Sequence, residues 1–271
     1  MRLGDQIEAD WDAALAALAW QLDCGVDEVI GDRALDRYDL PEPVKSVSPV
    51  ATAPLEGRGI SGPPSETVQK IDPVVEARTI AARAGSLTEL RDALAAFDHC
   101  ELKRGARNTV FADGNPKARV LVLGEAPGRD EDLEGLPFVG RAGQLLDRMF
   151  AAIGLSRHSP DAESALYITN VMPWRPPGNR DPEPAEIAMM KPFVERHIAL
   201  VDPAVVVVMG NTPLVAVTGQ RGIMRARGTW TEFLGRPVLP MTHPAYLLRN
   251  PIAKREAWAD LLALKARLRG N

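Results

Sequence analysis

Four short runs of apolar residues punctuate the second half of this chain: 119–123 (RVLVL), 166–170 (LYITN), 204–209 (AVVVVM) and 237–241 (PVLPM). Between them, at 141–153, 184–200 and 211–218, apolar positions recur every three or four residues, the spacing of a helix with one buried face. Strands that are apolar almost without interruption are covered on both sides. The alternation therefore predicts an α/β fold with a buried, mainly parallel sheet and helices on both faces. Further upstream the helical spacing appears at 73–84 and 87–97, the second introduced by Ser86 and Glu89 as a capping box. Residues 8–23 carry Trp11, Leu15, Leu18 and Leu22 on one helical face, and 40–68 are rich in Pro, Gly and Ser without periodicity. The expected organisation is a helical segment over 1–39, a flexible linker over 40–72 and a catalytic domain over 73–271.

Charge is uneven along the chain. Residues 1–100 hold 9 Lys and Arg against 18 Asp and Glu, whereas 101–271 hold 23 against 18, within a formal net charge of −4. Only the second part suits a phosphate backbone. Cys24 and Cys100 are the only cysteines, too few for a disulfide framework or an all-cysteine metal site, and a reduced cytoplasmic setting is expected. No apolar run is long enough to span a membrane, and the acidic start MRLGDQIEADWD does not read as a signal peptide.

In parallel sheets ligands bind beyond the carboxyl ends of the strands, so the segments following the four runs should converge. The first, GEAPGRDED, opens on a Gly- and Pro-rich turn, and its Glu125 is either a buried base or a solvated cap. A little further on, Phe138 in LPFVGRAGQ is either a stacking platform for a planar base or a core residue. The helix start at Arg141, Gly143 and Gln144 offers a phosphate seat. Asn170 ends the second run, and its amide pairs a donor with an acceptor, matching the O4 and N3–H edge of uracil, unless it merely terminates a strand. Arg175, Asn179 and Arg180 lie in a stiff basic loop, RPPGNR, suited to backbone phosphates. The third segment, Gly210-Asn211-Thr212-Pro213, carries no catalytic residue type and reads as structural. The fourth, THPAYLLRNP, sets His243 before a loop with Tyr246, Leu247, Leu248 and Arg249. Two adjacent exposed leucines there would suit a wedge between bases, with Arg249 on the nearby phosphate.

Taken in order, GEAPGRDED, GLPFVGRAGQLL, YITN, RPPGNR and HPAYLLRNP resemble the uracil-DNA glycosylase superfamily over roughly residues 97–265, and most closely its family 4, the bacterial and archaeal iron–sulfur type. The resemblance implies a three-layer α/β/α sandwich on a central four-stranded, mainly parallel sheet, and excision of uracil from a nucleotide rotated out of DNA. It implies that Phe138 stacks on uracil, Asn170 reads its polar edge, His243 bonds O2, the Ala126 amide helps bind the pyrimidine and Leu247 fills the vacated stack. Glu125 is assigned to orient the attacking water. Family 4 holds a four-iron–four-sulfur cluster through four cysteines, and the corresponding positions here are Phe97, Cys100, Trp174 and Met190. We therefore expect no cluster and no other cofactor or metal, with the bulky residues filling the space. A related branch traps DNA covalently through an inserted basic loop; here Asp132-Leu133-Glu134-Gly135 runs straight into Leu136-Pro137-Phe138, so turnover is expected.

The expected partner is uracil-containing DNA, single- or double-stranded, acted on by a monomer. The N-terminal segment is a protein-recruitment arm, an acidic cover or neither. Two rival readings are excision of hypoxanthine or xanthine on the same fold, and a DNA-binding module without catalysis.

Overall fold

The computed structural model describes residues 72–270. The helix expected at 8–23 and all of the 40–72 linker except Asp72, which caps the first described helix, lie outside the described residues. In chain order the elements are α1 (Pro73–Arg83), α2 (Leu87–Ala96), α3 (Leu102–Gly105), β1 (Ala112–Gly114), β2 (Val120–Gly124), α4 (Arg129–Glu134), α5 (Arg141–Ala151), β3 (Leu166–Asn170), α6 (Pro184–Val201), β4 (Val205–Met209), α7 (Asn211–Thr218), α8 (Ile223–Ala226), β5 (Thr231–Phe233), β6 (Arg236–Met241), α9 (Pro244–Arg249) and α10 (Lys254–Leu268).

The four apolar runs become β2, β3, β4 and β6, which pair in parallel in the order β3-β2-β4-β6. The sheet has six strands rather than four, because β1 and β5 add short antiparallel edges. Every residue of β2, β3 and β4 is buried, as continuous apolar strands require. Leu121, Leu123, Tyr167, Val206 and Val208 face one cluster built with α1, α2, α6 and α7. Val120, Val122, Ile168, Val207 and Leu239 face a second cluster with Leu146 and Phe150 of α5 and Leu261 and Leu264 of α10. The period-two alternation of the strands thus divides the core between two helical layers, each buried aliphatic or aromatic side chain contributing about 1.5–3 kcal/mol.

The capping box before α2 forms with one displacement. The Ser86 hydroxyl accepts from the Glu89 amide at 3.2 Å, while the Glu89 carboxylate accepts from Gly85, not Ser86, at 2.7 Å. Among the described residues no helix is long and apolar enough to cross a membrane.

Because the four inner strands run the same way, their carboxyl ends share one edge of the sheet. Gly124 of β2 lies opposite Asn170 of β3, and the chain continues from there in register, with Val171 and Met172 donating to the carbonyls of Gly124 and Glu125 at 3.0 and 2.9 Å. The turn after β2 is therefore pinned to the segment after β3.

Candidate active site

An open cleft of about 620 Å³ lies along this edge, and all four post-strand segments line it. Glu125, Ala126, Phe138, Asn170 and His243 meet there, although 118 positions separate the first from the last. Asp181, Asn211, Thr242, Tyr246 and Arg249 complete much of the wall.

Glu125 follows directly on β2, so the strand fixes its backbone. Its Oε2 accepts the Thr212 hydroxyl at 2.7 Å. Burial pushes the carboxyl above its ordinary range; the Thr212 bond opposes that rise and the nearby Asp181 charge adds to it. The sequence reads Thr212 as structural, and the fold gives it a definite partner in the Glu125 carboxylate. It sits on the first turn of α7, and the parallel pairing of β2 with β4 brings that turn beside Glu125. A threonine at a helix start carries no signal of its own; only the strand order reveals its partner.

His243 precedes α9 as its N-cap, its Nδ1 accepting the Ala245 amide at 3.1 Å. Burial, with a smaller contribution from the Arg249 charge, lowers its pKa to about 4. The imidazole is neutral at pH 7. With Nδ1 used as an acceptor, the proton resides on Nε2, which becomes a donor. The ring lies 5.5 Å from that of Phe138, centroid to centroid, with planes 29° apart.

Phe138 and Asn170 converge across Gly124. A Cβ on Gly124 would stand 2.3 Å from Asn170 Oδ1 and 2.4 Å from Phe138 Cε2, so only glycine lets the ring and the amide approach. Asn170 Oδ1 is buried and has no partner, an acceptor awaiting a donor. Gly124→Ala is expected to push ring and amide apart and to reduce the single-turnover rate of the reaction run in this cleft about 100-fold. Melting of the same variant should show a cost of about 1–3 kcal/mol, as overpacking brings. An unchanged rate would show that this approach does not matter.

Several sequence-assigned contacts lie elsewhere. Leu247 is fully buried against Leu145 and Ala257, and Leu248 is half-buried beside it. The expected pair of exposed leucines is thus corrected: residues 244–249 form a helix that turns Leu247 toward α5 rather than toward DNA. Gly143 is buried too, and a Cβ there would fall 1.7 Å from the Phe138 carbonyl oxygen; it serves close packing rather than phosphate contact. The amides of Val139 and Gly140, ahead of α5, are already taken by Glu131 Oε1 at 3.1 and 3.0 Å. Arg141 and Gln144 are exposed just beyond the cleft. Arg180 and Asn179 line the rim, but Arg180 is held bidentately by Glu186 at 2.7 and 2.9 Å. Arg175 braces the loop through a 2.9 Å bond to Asn179 Oδ1. Tyr246 and Arg249 stand on the opposite segment.

The model of the uracil-DNA glycosylase superfamily matches residues 111–262, more than half of the chain and every one of these cleft segments. The chain belongs to that superfamily. It is 40% identical to a type-4 uracil-DNA glycosylase of Thermotoga maritima over 56% of its own length and 77% of the relative's. Type-4 enzymes of Sulfurisphaera tokodaii and Archaeoglobus fulgidus are each 36% identical, over 61% and 59% of this chain and 77% and 82% of their own.

These relatives correct one expectation. Type 4 is the iron–sulfur branch of the superfamily, so kinship at this level does not support a cofactor-free chain, and the expected absence of a cofactor is withdrawn. The residues at the four corresponding positions do not fit a four-thiolate set. Phe97, Cys100, Trp174 and Met190 are buried together in one apolar cluster, and the Trp174 indole donates to Thr109 Oγ1 at 3.1 Å. Burial pushes the Cys100 thiol up, away from the thiolate that iron requires. Among the described residues no group of three or more His, Cys, Asp or Glu side chains gathers to hold a metal; Cys24 lies outside them.

Proposed function

We propose that this member of the superfamily is a DNA-repair hydrolase that cleaves the bond between uracil and deoxyribose, releasing the base and leaving an abasic site. The observation that carries the reading is the meeting of a carboxylate, a carboxamide, an aromatic ring and a neutral, donor-ready imidazole in one cleft, at the ends of four parallel strands.

The deoxyuridine is rotated out of the DNA stack into the cleft, where Phe138 stacks on the ring and Ala126 contributes its amide. Asn170 accepts from N3–H through the oxygen that now has no partner and donates to O4. As the C1′–N1 bond breaks, its electron pair passes to uracil and accumulates on O2, where His243 Nε2–H donates. The sugar becomes oxocarbenium-like. Glu125 orients a water toward C1′ and takes its proton as the C1′–O bond forms. A carboxylate near the developing cation and a donor at the developing anion lower the barrier from both ends, more strongly in a desolvated cleft than in water. Arg249, Asn179 and Arg180 at the rim, with Arg141, Gln144 and Arg175 nearby, meet the phosphates and fix the register of the strand. Residues 73–271 form the catalytic part in this reading.

The test uses the full chain and labelled oligonucleotides carrying uracil single-stranded, opposite G and opposite A, with hypoxanthine and xanthine substrates in parallel and iron measured on the same preparation. Alkali-labile strands are expected from uracil substrates. Binding without strand lability, or release of hypoxanthine with uracil left intact, overturns the reading.

A further inference from the structure

The loop bearing Phe138 is held from behind by a side chain that does not line the cleft. Arg157 lies in the irregular stretch between α5 and β3 and is only 6% exposed. One guanidinium nitrogen donates to the carbonyl of Pro137 and the other to that of Phe138, both at 2.9 Å. Nε donates to Asp147 of α5 at 2.8 Å, and the first nitrogen also reaches Asp113 of β1 at 3.0 Å. One side chain thus joins an edge strand, a helix and the turn that presents the aromatic ring.

That turn needs holding. Phe138 has φ of 54°, the left-handed region that a bulky residue occupies only where its surroundings impose it. Gly143 closes on the same carbonyl from the α5 side. The Phe138 carbonyl is therefore seated between a helix backbone and the guanidinium, and this seat sets the direction of the ring. Burying a charge is costly, and an apolar side chain would fill the same space more cheaply. What an apolar residue cannot do is bind two successive carbonyls and two carboxylates at once, the task of a planar fork.

We propose that Arg157 is a positioning residue for base recognition: it fixes the Pro137–Phe138 backbone in its left-handed turn and so sets the angle at which the Phe138 ring meets the pyrimidine. The proposal rests on the reading of Phe138 as the stacking platform.

The test is a double-mutant cycle on the full chain, read as inhibition of excision by free uracil, with melting curves confirming that each variant folds. Lysine keeps the charge but cannot serve both carbonyls. Arg157→Lys is expected to weaken uracil inhibition about tenfold in the native background and less than twofold in Phe138→Leu, since coupled residues are not additive. Equal weakening in both backgrounds, or none in the first, overturns the proposal. Should Arg157→Lys fail to fold, Asp147→Asn, which loosens the guanidinium and leaves it in place, takes its role. It is expected to weaken inhibition about threefold, again only where Phe138 is present; an effect independent of Phe138, or no effect, refutes the proposal. Unchanged inhibition in Phe138→Leu alone is a different failure, that of the stacking reading itself, and the proposal falls with it.

Discussion

Glu125→Gln is expected to lower the single-turnover rate of uracil excision by about 10²- to 10⁴-fold, with binding to uracil-containing DNA retained. The range is that of a positioned general base, and the exchange preserves the size of the side chain while removing its capacity to take a proton. The pH profile of the unsubstituted enzyme tests the same assignment. In the proposed role only the ionised carboxylate can act as base, and burial raises its pKa above the ordinary range. Activity is therefore expected to be lost as pH falls through that raised value. The Thr212 hydroxyl, bonded to Oε2, works against the rise. Thr212→Val removes this opposition, so the acid limb is expected to move to higher pH. Single-turnover rates across the acid range would check both statements. A glutamine variant as fast as the parent removes Glu125 from the chemistry, and an acid limb that ignores position 212 removes Thr212 from it.

His243→Leu is expected to cost about 10²- to 10³-fold in the same measurement, the value of one preorganised donor to a developing anion. The imidazole is neutral above about pH 4, so its donation requires no protonation and the rate should show no further loss from pH 6 to 8 on its account. The variant also loses the bond from the Ala245 amide to Nδ1, an N-cap contribution of about 1 kcal/mol that melting would report separately. His243→Gln, which restores an N–H donor, should recover part of the rate. A descending limb near pH 6.5, or full activity in the leucine variant, would contradict a neutral donor.

The central strands and their neighbouring helices were legible because continuous apolar runs and helical spacings are strong signals: β2, β3, β4 and β6 fall within a residue or so of the runs that predict them. The sheet edges were not, because ADG at 112–114 and TEF at 231–233 are too short and polar to carry a pattern. At the cleft, Glu125, Phe138, Asn170 and His243 could be picked out as unusual residues at strand ends. Leu247 was misplaced because its neighbours suggested an exposed loop, whereas Pro244 starts a short helix and rotates it inward. Thr212 and Arg157 left no trace in the one-dimensional pattern. The first needs the β2–β4 pairing to find its carboxylate, and the second sits in an irregular turn where no periodicity marks a buried position.

Glu131 ties the two lips of the cleft together. Its carboxylate receives the amide of Gly128 on one lip of the cleft and those of Val139 and Gly140 on the other. Swinging the aromatic lip outward would strand the Val139 and Gly140 amides at about 1–3 kcal/mol apiece where they are shielded from water. On the proposed function, the cleft is therefore expected to act as a rigid mould rather than a jaw, meeting an extruded nucleotide ready-shaped and refusing a larger base by its bulk.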